Sequence, residues 1–464
     1  MKKSFLFYFI LVTFPVFCQI RLSDVSVELK KKTDFHQLIT TVNPKTNEIY
    51  TFASDNEKLF GAKFSSSVFF RDSLSTKRPF NYRYLLGGSF LENNNPVAYF
   101  STEDLTRVIS VEFDFAKRTN LIRDLNLNLK GEIIYTQFAD KGSYYFITKG
   151  RNENELQLIK LNGNTLIKKY LDFKAFNFEN NPSNKSDITN LIEEFGLTLI
   201  EKKGFSSLLD GSQKIKFYLE SDKIILILNL DSTKTSTYEI NLNSFSISEK
   251  IFKSSKLVNV QQSNSLLFEN NLVILSSTAN SCEIQFINYT DKLIIKTYTI
   301  DNLKPNPFSS SFYSIVENSS PNNIKTPKKF ISAISNSELG ISIYNFNGVY
   351  IASFGGIQYR GNSNDFLNQL GSINGSFYGL DFGNLSSNYA LQNNLIDVDF
   401  DSSFKEIKPV NQPLFIDKIG QFISENKNVK LDYYFFFNNF YILSYYDSKT
   451  KQIVLRKFTD GFDH

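Results

Sequence analysis

The chain has 464 residues, with 51 Lys and Arg against 47 Asp and Glu, a net charge of +4. That balance leaves no basic footprint for nucleic acid or anionic lipid. Two histidines, His36 and His464, are too few for the usual His-ligated zinc site.

The first element in chain order is "MKKSFLFYFILVTFPVFC", residues 1–18. Lys2 and Lys3 form a basic n-region, and Phe5 to Phe14 form an apolar stretch too short to span a bilayer comfortably. Val16 and Cys18 are small enough for the −3 and −1 positions of a cleavage site, so this is a secretory signal and the mature chain is expected to begin at Gln19. Lipidation at Cys18 would want a small residue where Phe17 stands. Without the signal, 49 basic residues face 47 acidic ones. Cys282 is then the one cysteine, so no intrachain disulfide forms, and roughly 445 residues must rest on their core. No further stretch reaches the ~18 consecutive apolar residues of a membrane helix.

After the signal comes "RLSDVSVEL", 21–29, a spare strand. A short motif then recurs: an apolar strand, a polar turn, a second strand and a third. It starts with "EIYTFASD" at Glu48, "PVAYFSTED" at Pro96 and "SYYFITKG" at Ser143. It returns as "KIILILNLD" at Lys223, "LVILSSTA" at Leu272, "KFISAISN" at Lys329 and "FYILSYYD" at Phe440. The regular spacing is about 48 residues, the period of propeller blades. A fainter copy around "FYGLDFGN" and "LIDVDF", 377–400, brings the count to eight. Two hairpins repeat one another closely: "LQLIKLNGNTLIKKY", 156–170, and "ISIYNFNGVYIASF", 341–354, each around an Asn-Gly pair.

Two helical insertions interrupt the strands. In "KSDITNLIEEFG", 185–196, Ile188, Leu191, Ile192 and Phe195 share a face behind Ser186 or Asp187 as N-cap. In "PLFIDKIGQFISEN", 413–426, Pro413 sits at the first turn and Phe415, Ile416, Ile419, Phe422 and Ile423 share a side. The expected fold is therefore all-β. It is a single β-propeller of seven or eight blades over 19–464, with these two short helical insertions. The spare N-terminal strand is expected to complete the C-terminal blade, because open sheet edges are a liability.

Little chemistry is legible. No Walker loop, dinucleotide fingerprint, H-E-x-x-H or EF-hand loop is present. A Ser-His-Asp triad would have to use His36, at the edge of the first blade. Glu193-Glu194 reads as a solvated helix face, and a carboxylate pair for glycoside hydrolysis cannot be matched across blades from sequence. Cys282 alternates with Ile284 and Phe286 on one strand face and reads as a small buried hydrophobe. No catalytic residue, metal ligand or cofactor is assigned. The loop 302–329 carries Phe308, Phe312 and Tyr313 among Ser, Asn and Pro, the composition of an adaptable partner contact. The segment 354–384 holds seven glycines, and its Tyr359, Arg360 and Asp365 form an alternative ligand site.

The signal ending "FCQ", the Asn-, Lys- and Phe-rich style and degenerate hairpins such as "YTFAS" at 50–54 carry a resemblance. The chain resembles exported β-propeller proteins of the Bacteroidota cell envelope. That resemblance implies residence in the periplasm or at the periplasmic face of the outer membrane. It implies a non-enzymatic interaction module, such as an accessory or plug subunit of a type 9 secretion translocon or barrel complex, with an outer-membrane protein as partner. No C-terminal sorting domain is expected after the strand "QIVLRKF". The alternative is a secreted, extracellular propeller that binds or cleaves glycans.

Overall fold

The computed structural model describes residues 20–30, 36–150, 155–176, 178–181, 184–202, 204–316, 319–360 and 390–462. The signal segment, Asp365 and His464 lie outside them. Strand makes up 56% and helix 8%, so the fold is all-β.

Seven sheets of four or five strands account for most of the described residues. Sheet 1 holds Gln37–Val42, Ile49–Ser54, Lys58–Phe64 and Phe70–Lys77. Sheet 2 holds Tyr82–Phe90, Pro96–Thr102, Val108–Asp114 and Thr119–Leu127. Sheet 3 holds Ile133–Asp140, Ser143–Lys149, Leu156–Asn162 and Thr165–Leu171. Sheet 4 opens with the short Thr198–Leu199, parallel to Ile215–Glu220, and continues with Lys223–Asp231, Lys234–Asn241 and Ile247–Lys253. Sheet 5 holds Gln262–Phe268, Asn271–Ser277, Ser281–Asn288 and Ile294–Asp301. Sheet 6 runs, edge to edge, Asn322–Ile324, Phe312–Val316, Ala390–Phe400, Val349–Arg360 and Glu338–Phe346. Sheet 7 places Ile20–Ser26 beside Gln452–Phe458, then Phe440–Asp447 and Val429–Phe437. The N-terminal strand pairs antiparallel with the C-terminal one, Asp24 opposite Val454.

The chain divides into two compact units. The first comprises Met1–Thr40, Asn47–Arg78 and Asn411–His464 and contains sheet 7, most of sheet 1 and a helix, Phe415–Glu425. Phe415, Ile419 and Phe422 of that helix are buried, and Phe422 packs on Tyr445 and Phe458. Pro413 precedes the N-cap Leu414 rather than entering the first turn. The second unit comprises Thr41–Thr46 and Pro79–Val410 and carries sheets 2 to 6. Its strands bury apolar residues on both faces, as at Leu156, Leu158, Ile159 and Leu161, so successive sheets share continuous cores.

Among the described residues, three further helices belong to the second unit: α1 (Ile188–Phe195), α2 (Leu208–Ser212) and α3 (Pro327–Ile334); the C-terminal helix is α4. Helix α1 follows Asp187 as its N-cap and buries Ile188, Leu191 and Ile192, the expected face. Helix α3 corrects the strand expected at "KFISAISN". Pro327 sits at its start, Thr326 accepts a hydrogen bond from the Lys329 N–H, and Phe330, Ile331 and Ile334 are buried. The apolar spacing i, i+1, i+4 is helical, whereas a strand would have put Ser332 on the same face as Phe330 and Ile334. The fainter copy is also not separate: Ala390–Phe400 pairs with Val349–Arg360 inside sheet 6, and "FYGLDFGN" lies outside the described residues. The eighth unit therefore dissolves into sheet 6 among the described residues.

Candidate functional site

Of the aromatic residues expected to form a partner contact, two are core. Phe312 is 3% exposed and stacks on Phe330 with ring centroids 4.3 Å apart. Phe308 is 4% exposed and packs on Tyr298 and Phe400. The segment 302–329 is not one adaptable loop. Phe312–Val316 and Asn322–Ile324 form a hairpin that extends sheet 6, and α3 follows. Pairing against Ala390–Phe400 turns Phe312 inward, so Phe308 and Phe312 are not exposed anchors. Tyr313, next along the strand, faces the other way and is half-buried.

Tyr313 does enter a polar constellation. Its hydroxyl donates to Asp397 Oδ2 at 2.6 Å, and the Ser353 hydroxyl donates to Asp397 Oδ1 at 2.6 Å. Burial and the Asp397 charge hold the Tyr313 phenol above its ordinary range. Two residues along the same strand, Asp399 accepts from the Val410 N–H at 2.6 Å, and burial raises its pKa. Tyr359 and Arg360 end their strand in register with Leu391 and Ala390, while Asp365 lies outside the described residues, so the alternative trio is not brought together here.

His36 sits beside Tyr446 with ring centroids 6.3 Å apart, and its ring nitrogen Nε2 is bonded to the Lys30 carbonyl. Cys282 is buried, and burial pushes its thiol up to about 12, which makes it unreactive in the native state. Glu193 is not merely solvated: it accepts from Tyr135 at 2.9 Å and Lys149 at 2.8 Å.

The most heavily built polar cluster was not legible in the sequence. Lys216, in the first long strand of sheet 4, is 0% exposed. Its Nζ donates to the carbonyls of Gly211 (3.1 Å) and Gln213 (2.5 Å) and to Asn264 Oδ1 (2.7 Å). Asn264, in the first strand of sheet 5, donates from Nδ2 to the carbonyls of Ser212 and Leu339, each at 2.7 Å. Leu339 lies in the edge strand of sheet 6. Ser342 of that strand donates to the Ser206 carbonyl at 2.6 Å. The segment 206–213, with α2 inside it, therefore joins the leading strands of sheets 4, 5 and 6. A side chain at Gly211 would place its Cβ 1.8 Å from the Ile341 carbonyl oxygen, so only glycine permits the approach. Helix α2 starts with a capping box in which the Ser207 hydroxyl accepts from the Asp210 N–H and the Asp210 carboxylate accepts from the Ser207 N–H.

Burial holds the Lys216 ammonium well below the ordinary lysine range; the Lys214 charge lowers it further and Asp210 opposes both. Three donors nonetheless meet three acceptors. The arrangement joins sheets and leaves no ammonium donor directed at a substrate. Among the described residues, no group of three His, Cys, Asp or Glu could hold a metal ion.

The exposed apolar side chains follow a different pattern. The outer strands of sheets 2 to 5 each carry some: Leu121 and Ile122 in sheet 2, Ile167 in sheet 3, Ile251 in sheet 4, and Ile294 and Ile295 in sheet 5, all 41–49% exposed. These strands pair on one side only. No helix of the described residues is long and apolar enough to cross a membrane.

No family model matches the chain, and no curated protein matches it in sequence. Solved structures share slight likeness. A DUF4221 family member from Bacteroides vulgatus is 12% identical, with 88% of this chain and 100% of that one covered, at a TM-score of 0.32. The Nup133 β-propeller domain of Vanderwaltozyma polyspora is 11% identical over 94% of this chain and 96% of that one, also at 0.32. An apocarotenoid oxygenase from Synechocystis is 8% identical over 63% of this chain, at 0.27. The chain spans 64% of that oxygenase's length. At these TM-scores the likeness brings no activity, ligand or partner over to this chain.

Proposed function

We propose that the protein is a non-enzymatic binding module, its seven sheets the blades of a β-propeller. It is exported to the periplasm or the periplasmic face of the outer membrane, where it docks on an envelope protein as an accessory subunit. The observation that carries this reading is the recurrence of exposed apolar side chains on the outer strands of sheets 2 to 5. An outer strand pairs on one side only, and apolar side chains on it are the raw material of an interface. The hub around Lys216 adds support from the other direction, since its polar groups serve the fold rather than a substrate.

The test is capture from detergent-solubilised envelope, read by mass spectrometry, with the wild type and an Ile294→Lys/Ile295→Lys variant. The wild type should recover one dominant envelope protein and the variant should lose it while melting normally. Capture of nothing, or equal capture by both, would sink the reading. The rival reading, a glycan-binding or glycan-cleaving propeller, draws on Tyr313, Ser353 and Asp397. It requires that Asp397→Asn abolish binding or hydrolysis of an envelope glycan.

A further inference from the structure

Between the outer half of sheet 3 and helix α1 lies a cleft of about 320 Å³ that neither reading above uses. Its floor is apolar, with Leu171, Phe173 and Ile188 all buried. The rings of Phe173, Phe176 and Phe178 pack around Tyr238, centroids 5.2 to 5.7 Å away, and give the cleft an aromatic wall. Among the described lining residues, Glu155, Asp172 and Asp187 are acidic and Lys174 is the one cation.

Two details single this cleft out. Asp187 is the N-cap of α1, with φ −83° and ψ 150°, yet its side chain makes no capping hydrogen bond. Lys174 already shows what the acids attract. Its Nζ bonds Glu155 at 2.5 Å, and the charges of Glu155, Asp172 and Asp187 all favour its protonated form. That pair is open to water, with side-chain exposures of 77% and 35%, so it holds weakly and can be displaced. The acids do not form a metal cluster. An aromatic wall, an apolar floor and a net negative mouth together select a cation that brings its own apolar stem.

We propose that this cleft binds an organic cation, an alkylammonium or guanidinium group on an apolar stem. The stem lies along Phe173 and Phe176, and the charge sits among Asp187, Asp172 and Glu155 after Lys174 gives way. The same chemistry could come from a free amine or from a lysine or arginine side chain of a protein. The proposal does not depend on the envelope reading.

The experiment is ligand-observed NMR titration of the full mature protein with n-hexylammonium chloride, hexanol and sodium hexanoate at neutral pH. A blocked lysine-containing tripeptide forms a further arm. Saturable binding of hexylammonium is expected, with hexanol at least tenfold weaker and hexanoate absent. Tripeptide binding at similar strength assigns the site to protein side chains, and its absence assigns it to free amines. Lys174→Met should tighten hexylammonium severalfold by removing the competitor. Asp187→Asn should weaken it about tenfold and still fold, because Asn is as good an N-cap as Asp. The proposal is overturned if neither wild type nor Lys174→Met saturates, if hexanoate binds as well as hexylammonium, or if Asp187→Asn changes nothing.

Discussion

The two Asn-Gly hairpins, alike in sequence, differ where it matters. In the hairpin of sheet 6, Phe346 pairs with Val349, and the turn is Asn347-Gly348 with φ of 51° and 88°. That is the type I′ pattern. In the hairpin of sheet 3, Asn162 pairs with Thr165, and the turn is Gly163-Asn164, with a positive φ of 58° at Gly163 alone, the type II′ pattern. The same dipeptide is shifted by one position. The reason is non-local: the Gly163 N–H donates to Ser89 Oγ at 2.8 Å, Tyr99 donates to the Gly163 carbonyl at 2.9 Å, and Ser110 donates to Asn164 Oδ1 at 2.7 Å. Three hydroxyls of sheet 2 hold that tip. The other tip is exposed: the Gly348 N–H donates to Asn345 Oδ1 of its own strand at 2.8 Å, and Asn345 Nδ2 in turn donates outward to Glu269 Oε1 at 2.6 Å. A turn signal in sequence predicts a turn; partners from another sheet decide its register.

Removing non-local partners should therefore cost more than removing local ones. The largest loss is expected for Lys216→Met, which takes the ammonium donors from the Gly211 and Gln213 carbonyls, while Asn264 Oδ1 keeps the Ser265 N–H at 2.8 Å. At about 1–3 kcal/mol for each buried orphan, a loss of several kcal/mol is expected in urea unfolding. The pH dependence gives a second readout. The folded-state pKa of Lys216 lies below its ordinary 10.5, so between the two values the unfolded chain binds more protons. Stability contributed by this residue then rises with pH toward 10.5. The gap between wild type and variant should widen over that window; a constant gap would show that Lys216 does not titrate on unfolding.

The next effect is Gly163→Ala. The new methyl would sit 2.6 Å from Leu91 Cδ2 and 3.1 Å from the Phe90 carbonyl oxygen, at a φ that already disfavours alanine. The left-handed backbone alone costs about 1–2 kcal/mol, so a total of ~2–3 is expected from chemical denaturation. Tyr99→Phe should follow at ~1–2 kcal/mol, because the buried Gly163 carbonyl loses its hydroxyl donor. If Tyr99→Phe is silent, sheet 2 does not hold the tip, and the register must have another cause.

Short apolar runs recurring about every 48 residues make most strands legible, since a strand buried on both faces writes a local apolar run. The helices Ile188–Phe195 and Phe415–Glu425 are legible because their apolar residues recur at helical spacing. What failed was whatever depends on distant partners. Phe308 and Phe312 sit among Ser, Asn and Pro and read as surface, but pairing with Ala390–Phe400, some eighty residues on, buries Phe312, and packing on Tyr298 and Phe400 buries Phe308. Lys216 reads as an ordinary polar position in a strand, and its acceptors at Gly211 and Asn264 are separated by 53 positions and belong to no shared motif. The helix at Pro327 is legible in its Thr-Pro start, but the apolar run after it reads as a strand.

Gly348→Ala is the smallest effect and the one that closes the comparison. The position has φ 88°, so alanine is strained there, but a Cβ would meet nothing within 4 Å. No contact has to move, no buried group loses a partner, and the Gly348 N–H keeps Asn345 Oδ1. Only the backbone penalty remains, about 1–2 kcal/mol, partly offset because alanine also restricts the unfolded chain by some 0.4–1 kcal/mol. A net loss near 1 kcal/mol is expected by urea unfolding of the purified protein, less than half that of Gly163→Ala. Equal losses at the two glycines would mean that backbone strain alone governs both turns and that the hydroxyls of Ser89, Tyr99 and Ser110 contribute nothing to the difference in register.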